Sequence, residues 1–500
     1  YDSPETKLRL NLRLLQSTTA ICPSLFNATS AQDGILSRIR LPAGLITTVQ
    51  CEAIAQLVNQ FGNGEVQITN RANIQIRTSE ALNSSVLVSL QQCGLASQTA
   101  SIDGLRNIMA SPTAEIDIQS KIDTIPFVKQ WDEYLANHPE LEILSSKFSV
   151  CFDGGETVSI SDRPNDICLL AVEIAGEVYF SLHLSLGDRG DSPSPVRVLI
   201  APNQVLEVLA ALAEVYRDYT IQKTDQKISQ ANSSSRKLRL RELLNEWGVE
   251  YYLQLVETEL GYPVPRLSEN LEISAKAELY DHVGIHAQLQ SGLVYIGVVV
   301  PLGRLTSHQL QGLGQLAKKY GDETLRLTPW QNLLITNIAE TQIEQLTREI
   351  TDLGLSISSN HPYTAIAACS GSIGCKASFT NTQADAKAIA THLEKCIQLD
   401  RPINIHFSGC EKSCAQHHPS DIALVGVQTK KFVAYKVYIG DGHINFGREL
   451  YAEYPAKDLP DLIERLLTIY QYQRQNSNQN FREFINKFPL RELKQLLDHA

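Results

Sequence analysis

The chain repeats itself, and the repeat limits what it can fold into. Pro42-x-Gly44-x-x-Thr47-x-x-Gln50 reappears as Pro301-x-Gly303-x-x-Thr306-x-x-Gln309, an offset of 259 residues that holds without a gap through Leu57 and Leu316, Gly62 and Gly321, Thr69 and Thr328, and Asn73 and Asn332. Solenoid units run roughly 20–50 residues, so a period this long marks gene-scale duplication and two pseudo-symmetric halves. In each copy an apolar run (35–41, 293–300) precedes a Thr-capped helical pattern, a Gly turn and an alternating stretch (65–76, 324–335), which predicts a β, α, β unit.

At 500 residues the chain is too long for one ordinary core, and roughly 150 residues per domain suggests three or four. After each repeat comes a longer α/β region, with strands expected at 147–152, 178–184, 403–407 and 433–438. A polar stretch at 226–235 reads as a linker, followed by a helical pattern at 236–247. The expected boundaries are a first repeat domain at 20–100, an α/β domain at 101–225, a linker and helical segment at 226–284, a second repeat domain at 285–355, a second α/β domain at 356–475 and a helical segment at 476–500.

A net charge of -11 argues against a general nucleic-acid binder, which needs clustered Lys and Arg. The first 19 residues lack the apolar core of a secretory signal, and the longest apolar run, 293–302, is about half a membrane span. The sequence is therefore expected to be cytoplasmic, with no nucleic acid and no membrane among its partners.

Ten cysteines in such a chain are expected to be buried thiols or ligands. Cys22, Cys51, Cys93, Cys151, Cys168 and Cys396 are widely spaced and read as buried thiols. Two pairs are different: Cys369-x5-Cys375 and Cys410-x3-Cys414. The first spans a Gly and Ser loop that can wrap a compact inorganic core. The second follows an expected strand and places its thiols one helical turn apart, at what reads as a helix N-terminus. Zinc sites space paired ligands by two to four residues, which the first pair does not fit, so the set points to a [4Fe-4S] cluster on Cys369, Cys375, Cys410 and Cys414.

With these motifs the sequence resembles the sulfite and nitrite reductase superfamily. The likeness rests on Leu41-Pro-Ala-Gly44, Ile68-Thr-Asn-Arg71, Leu302-Gly-Arg-Leu-Thr306 and the paired cysteines, and it covers the chain from about Cys22 onward. It implies an α+β, duplicated sulfite/nitrite reductase-like fold: two ferredoxin-like half-domains and two α/β domains with pseudo-two-fold symmetry. It also implies a tetrapyrrole beside the cluster, with Cys414 bridging cluster and sirohaem iron in the reductases. Within the superfamily, Ala20-Ile-Cys-Pro-Ser-Leu-Phe26, the first strand from Gln32 to Pro42, and Val300-Pro-Leu-Gly-Arg-Leu-Thr306 with Leu325-Arg-Leu-Thr-Pro-Trp330 resemble the precorrin-3B synthase family, whose members hold the cluster without sirohaem.

Arg40, Arg71, Arg106 and Lys147 match positions where the reductases line the tetrapyrrole and anion pocket, and guanidinium forks suit its carboxylates. The duplication supplies an internal control: Arg40 becomes Val299 and Arg71 becomes Trp330, so one half is expected to supply the ionic pocket and the other the cluster. Trp330 reads as packing rather than macrocycle stacking. The strand Lys147-Phe148-Ser149 ends in Ser where sulfite reductases carry Lys and nitrite reductases Asn.

The resemblance thus leads to an expected oxygen-dependent hydroxylation of the tetrapyrrole precorrin-3A with γ-lactone formation. It would use the 4Fe-4S cluster and a mononuclear non-haem iron whose ligands no histidine pattern assigns. The alternative is a sirohaem-dependent ferredoxin-nitrite or sulfite reductase. No G-x-G-x-x-G loop follows a strand, so electrons are expected from a ferredoxin or a reductase, with the basic run 236–241 as a candidate docking face.

Overall fold

The computed structural model describes residues 22–188, 190–229, 236–267, 280–442 and 446–499. Residues 230–235 of the expected linker and 20–21 of the expected first domain lie outside the described residues. Among the described residues, four five-stranded sheets form two matching pairs.

The two repeat domains exchange a strand. One sheet runs Thr29–Ala31, Gly34–Ile39, Ile74–Thr78, Gly62–Ile68 and then Arg304–Thr306 from the second copy; the other runs Gly284–Ala287, Leu293–Val298, Leu333–Ala339, Thr324–Leu327 and then Leu45–Thr47 from the first. Arg304 pairs with Gln67 and Arg326 with Leu45. Neither sheet is complete without its twin. The helices that follow the exchanged strands, Thr48–Phe61 and Ser307–Tyr320, start at the same repeat position, and each has a full capping box, Thr47 with Gln50 and Thr306 with Gln309. They pack on each other so closely that a Cβ on Gly314 would meet the Cys51 Cβ at 3.0 Å.

The β, α, β expectation missed a hairpin. The stretch 65–76 is two antiparallel strands joined at 69–73, because Ala72 takes a left-handed φ of 53° and the Thr69 Oγ1 accepts from the Asn73 amide at 3.2 Å. The twin turn repeats this with Gln331 at φ 63° and the Asn332 amide donating to Thr328 Oγ1. The repeated Asn has a further use in each copy: Asn73 Oδ1 accepts from the Leu41 amide at 2.8 Å and Asn332 Oδ1 from the Val300 amide at 3.0 Å. Such bonds satisfy buried main-chain donors that no strand partner reaches.

The two α/β domains share one topology. Ile108–Ala110, Val150–Asp153 and Ile167–Ile174 run parallel, then Glu177–Leu184 and Ser194–Ile200 return antiparallel; Ile366–Ala368, Ile405–Ser408, Ile422–Val427, Ala434–Ile439 and Arg448–Pro455 do the same. Helices Val205–Ser229 and Val249–Leu260 pack on the first, and Thr382–Cys396 and Leu459–Gln473 on the second, closing two apolar cores. The helical pattern at 236–247 begins only at Leu240, since Arg239 is extended and its amide is caught by the Glu242 carboxylate at 2.9 Å. The fold is α+β with pseudo-two-fold symmetry at both levels. Among the described residues, no helix is long and apolar enough to cross a membrane.

Candidate functional site

The cysteines sit where two parallel strands end. Ala368 lies opposite Phe407, so the loops that leave Ile366–Ala368 and Ile405–Ser408 emerge at one edge, the usual ligand side of parallel strands. The Cys369 amide donates to the Phe407 carbonyl at 3.1 Å, and the Gly409 amide donates to the Cys369 Sγ at 3.2 Å. A main-chain N–H aimed at a sulfur suits a thiolate ligand, which gains an anion's hydrogen bond. The short helix Gly371–Gly374 carries the chain to Cys375. None of the four is in a disulfide; Cys369, Cys375 and Cys410 are half-buried and Cys414 is exposed.

The expected helix over Cys410 and Cys414 does not form. Ser413 takes a left-handed φ of 53°, and the Ser408 hydroxyl donates to the Cys410 carbonyl at 2.6 Å, fixing an irregular turn. The loop of the first pair is instead tied from the first repeat. Arg77 Nε lies 2.6 Å from Asp33 Oδ2, and its Nη2 donates to Ser370 Oγ at 3.0 Å, inside the Cys369–Cys375 loop.

Next to Cys414 opens a cavity of about 390 Å³ to which the repeats and both α/β domains contribute. Among the described residues, six cationic side chains line it: Arg38, Arg71, Lys147, Arg163, Arg239 and Arg241. Arg71 reaches it from the hairpin turn, with Nη1 donating to the Pro164 carbonyl at 2.7 Å and Nη2 to Asn165 Oδ1 at 2.9 Å. Burial pushes its guanidinium down to about 10, partly opposed by Asp166. Arg239 Nη2 donates to both carboxylate oxygens of the buried Asp166, at 2.9 and 3.1 Å. Arg163, paired with Asp162, lies 5.2 Å over the Trp330 ring. Ser149 is buried, its hydroxyl 3.3 Å from Asp166 Oδ2. The set can bind a polyanion, because more cations than carboxylates face the space.

Of the sequence-predicted basic residues, Arg71 and Lys147 line this cavity and Arg40 and Arg106 do not. Arg40 is 1% exposed, and its guanidinium is spent on Asn107 Oδ1 (3.0 Å) and the carbonyls of Pro23 and Ser146. It bolts the first repeat to the α/β domain. Arg106 is locked in a bidentate pair with Asp132 at 2.8 and 2.9 Å. Arg38, Arg163, Arg239 and Arg241 were missed; the available signal was that Arg38 shares Arg40's strand and that Arg239 and Arg241 lie in the basic run. That run does not form a docking face, since Arg239 and Arg241 turn inward and Arg236 pairs with Glu242. Trp330 packs, as expected, with Met109, Cys151 and Tyr280, and it also lines the cavity, to which its twin position contributes Arg71. Cys396 and Cys93 are not buried thiols: Cys396 is exposed and Cys93 half-buried, as is Cys22 at the cavity wall.

The sequence matches the nitrite/sulfite reductase ferredoxin-like half domain over residues 29–81 and 286–353, and the nitrite and sulphite reductase 4Fe-4S domain over 101–264 and 361–500. A duplicated fold with a cysteine centre beside a cationic cavity is that of an oxidoreductase, and the chain belongs to the nitrite and sulfite reductase family. It is similar to the ferredoxin–nitrite reductase of Synechococcus elongatus, 29% identical over 86% of this chain and 85% of that one, and to the chloroplastic ferredoxin–nitrite reductase of Zea mays, 29% identical over 89% and 80%. A ferredoxin sulfite reductase of Mycolicibacterium paratuberculosis is 28% identical over 86% and 78%. The solved structure of the Mycobacterium tuberculosis NirA protein shares the fold, with a TM-score of 0.75 and 22% identity over 92% of this chain and 84% of that one.

These relatives overturn the expected precorrin-3A hydroxylation: proteins similar along most of the chain carry the names of nitrite and sulfite reductases. Of the segments that resembled precorrin-3B synthases, the strand ending at Pro42 and residues 325–330 hold strands and turns that the duplicated fold itself requires. The mononuclear non-haem iron loses its role with that reaction.

Proposed function

We propose that the chain is a ferredoxin-dependent reductase of a small oxyanion, nitrite first, with a 4Fe-4S cluster on Cys369, Cys375, Cys410 and Cys414 and a sirohaem in the adjoining cavity. The observation that carries the reading is the cavity itself, which joins Cys414 to six cationic side chains. The residues suit both groups: the cysteine loops bring four thiols outside any disulfide and a main-chain donor on Cys369 Sγ, and the cavity offers guanidiniums, three of them already oriented by fixed partners, to a macrocycle rich in carboxylates. When bound, the cluster and sirohaem supply the electrons and the metal centre for the reduction.

The chain's own residues bind and orient. Arg71 and Arg239 are held by Asn165 and Asp166, so little side-chain entropy is lost when they meet a carboxylate. Lys147 is exposed at the cavity and can draw an anion inward. Nitrite takes up six electrons and eight protons to give ammonium and two waters, so the site must admit protons as well as anion, which a partly open polar cavity allows. Ser149 stands where sulfite reductases carry Lys, which favours the singly charged substrate. Around the cysteine loops, Ile373 is 62% and Phe379 51% exposed, with Lys376 and Lys412 also exposed, an apolar and basic face suited to an acidic electron donor.

The test is the absorption spectrum of the purified holoenzyme together with turnover on reduced ferredoxin. A sirohaem Soret band and ammonium formed from nitrite are expected. A protein with an intact cluster but no sirohaem, or one that leaves nitrite untouched, overturns the reading.

A further inference from the structure

Away from the cavity, on the outer face of the second α/β domain, a second set of donors comes together. One ring nitrogen of His392, the Sγ of Cys396 and a carboxylate oxygen of Glu464 lie within 4.8 Å of one another. We propose that these residues, with Asp461 as a fourth donor, form a zinc site that staples helix Thr382–Cys396 to helix Leu459–Gln473.

The placement follows from helical spacing. His392 and Cys396 are four apart on one helix and Asp461 and Glu464 three apart on the next, so each pair shares a face. The facing sides are fixed by packing, since Leu393, Leu462, Ile463 and Leu466 are all buried in one core. His392 Nε2 sits 2.6 Å from Glu464 Oε2 and 3.8 Å from Asp461 Oδ1. Tetrahedral zinc with bonds of about 2.0–2.3 Å holds its donors roughly 3.3–3.8 Å apart, so small side-chain rotations suffice to close the set.

The chemistry selects the ion. Calcium and magnesium take oxygen ligands, whereas a mixed imidazole, thiolate and carboxylate set suits zinc. A hydrogen bond between His392 and Glu464 explains those two side chains alone; it leaves the thiol unexplained. Cys396 is exposed, unlike most free cysteines, yet lies within ligand reach of both. Asp461 is 75% exposed, which leaves the ion a path from solvent.

The site is separate from the cluster cysteines, but one of its two helices also touches a cysteine loop. At the other end of Thr382–Cys396, Thr382 Oγ1 and Gln383 Nε2 donate to the Cys369 carbonyl at 2.7 and 2.9 Å. A staple at one end therefore stiffens the helix that holds a cysteine loop at the other.

The holoenzyme, its cluster in place so that those cysteines are occupied, is stripped with a chelator, given zinc chloride at micromolar free zinc, and desalted. The wild-type protein is expected to retain one more equivalent of zinc per chain than Cys396→Ser, with a zinc-edge spectrum showing a single sulfur ligand that the variant loses. Glu464→Gln, a conservative change at a half-buried position, is expected to weaken zinc binding at least tenfold while leaving circular dichroism unchanged. Equal zinc in wild type and Cys396→Ser, or no zinc in the wild type, overturns the proposal and leaves the reductase reading standing.

Discussion

Gly409→Ala is the substitution by which the closeness of the two cysteine loops can be measured. A Cβ at this position would lie 1.7 Å from Ser378 Oγ, 2.7 Å from Ser378 Cβ and 3.2 Å from Ser378 Cα, while ordinary contact begins at 3.4 Å. Rotating the Ser378 hydroxyl away relieves the first clash. It cannot relieve the second, because the Ser378 Cβ is fixed by the backbone, which must retreat by about 0.7 Å. That retreat strains the Phe379 amide bond to the Gly409 carbonyl at 2.8 Å and the Gly409 amide bond to Cys369 Sγ, the links that hold the second cysteine loop against the first. Overpacking of this kind costs about 1–3 kcal/mol, and a cluster spanning both loops is expected to be lost faster in air. Ser378→Gly in the same chain removes the two closest atoms and restores most of the loss. Cluster absorbance per chain and the thermal midpoint, followed in single and double variants, give the answer. Full cluster content in Gly409→Ala, or a double variant no better than the single, would refute the packing argument.

Other outcomes follow from the same geometry. Arg71→Ala is expected to lower tetrapyrrole occupancy at least tenfold while sparing the cluster's absorbance, since each hydrogen bond to its charged group is worth about 1.5–3 kcal/mol; the Soret-to-cluster ratio reads it. His282 is 1% exposed, and burial lowers its imidazole to about 3, so the unfolded chain takes up a proton near 6.5 that the folded chain refuses. Stability is therefore expected to be complete above pH 6.5 and to fall as the pH drops toward 3, by about 1.4 kcal/mol per pH unit for this residue, and His282→Gln flattens the slope of melting temperature against pH. Thr47→Ala and Thr306→Ala each remove one half of a twin capping box and are expected to cost about 1 kcal/mol apiece in chemical denaturation.

The duplication could be read because the residues it repeats are those the backbone demands: Thr at the helix caps, Asn under the turn, Gly after the helices. The hairpin at 69–73 stayed hidden because its break rests on one left-handed residue, Ala72, and alanine carries no signal for it. The cysteine pairs were visible since close spacing is local. The arginine set was only half visible. Arg71 and Arg40 looked equivalent in their strand contexts, and what separates them is distant: Arg40 meets Asn107 and Ser146, while Arg71 is held open by Pro164 and Asn165. Burial alone does not announce whether a charged side chain faces an empty space or a filled one.

The exchanged strands have a consequence for how the protein is made. Gln67, on the edge strand of the first copy's sheet, waits for Arg304, about 240 residues further on, before that sheet is whole. At roughly 5–20 residues per second that is on the order of 12–50 s during which the first copy stands on the ribosome with an open sheet edge, a template for any passing strand. The nascent first half should therefore be the stage at which this protein most needs a chaperone.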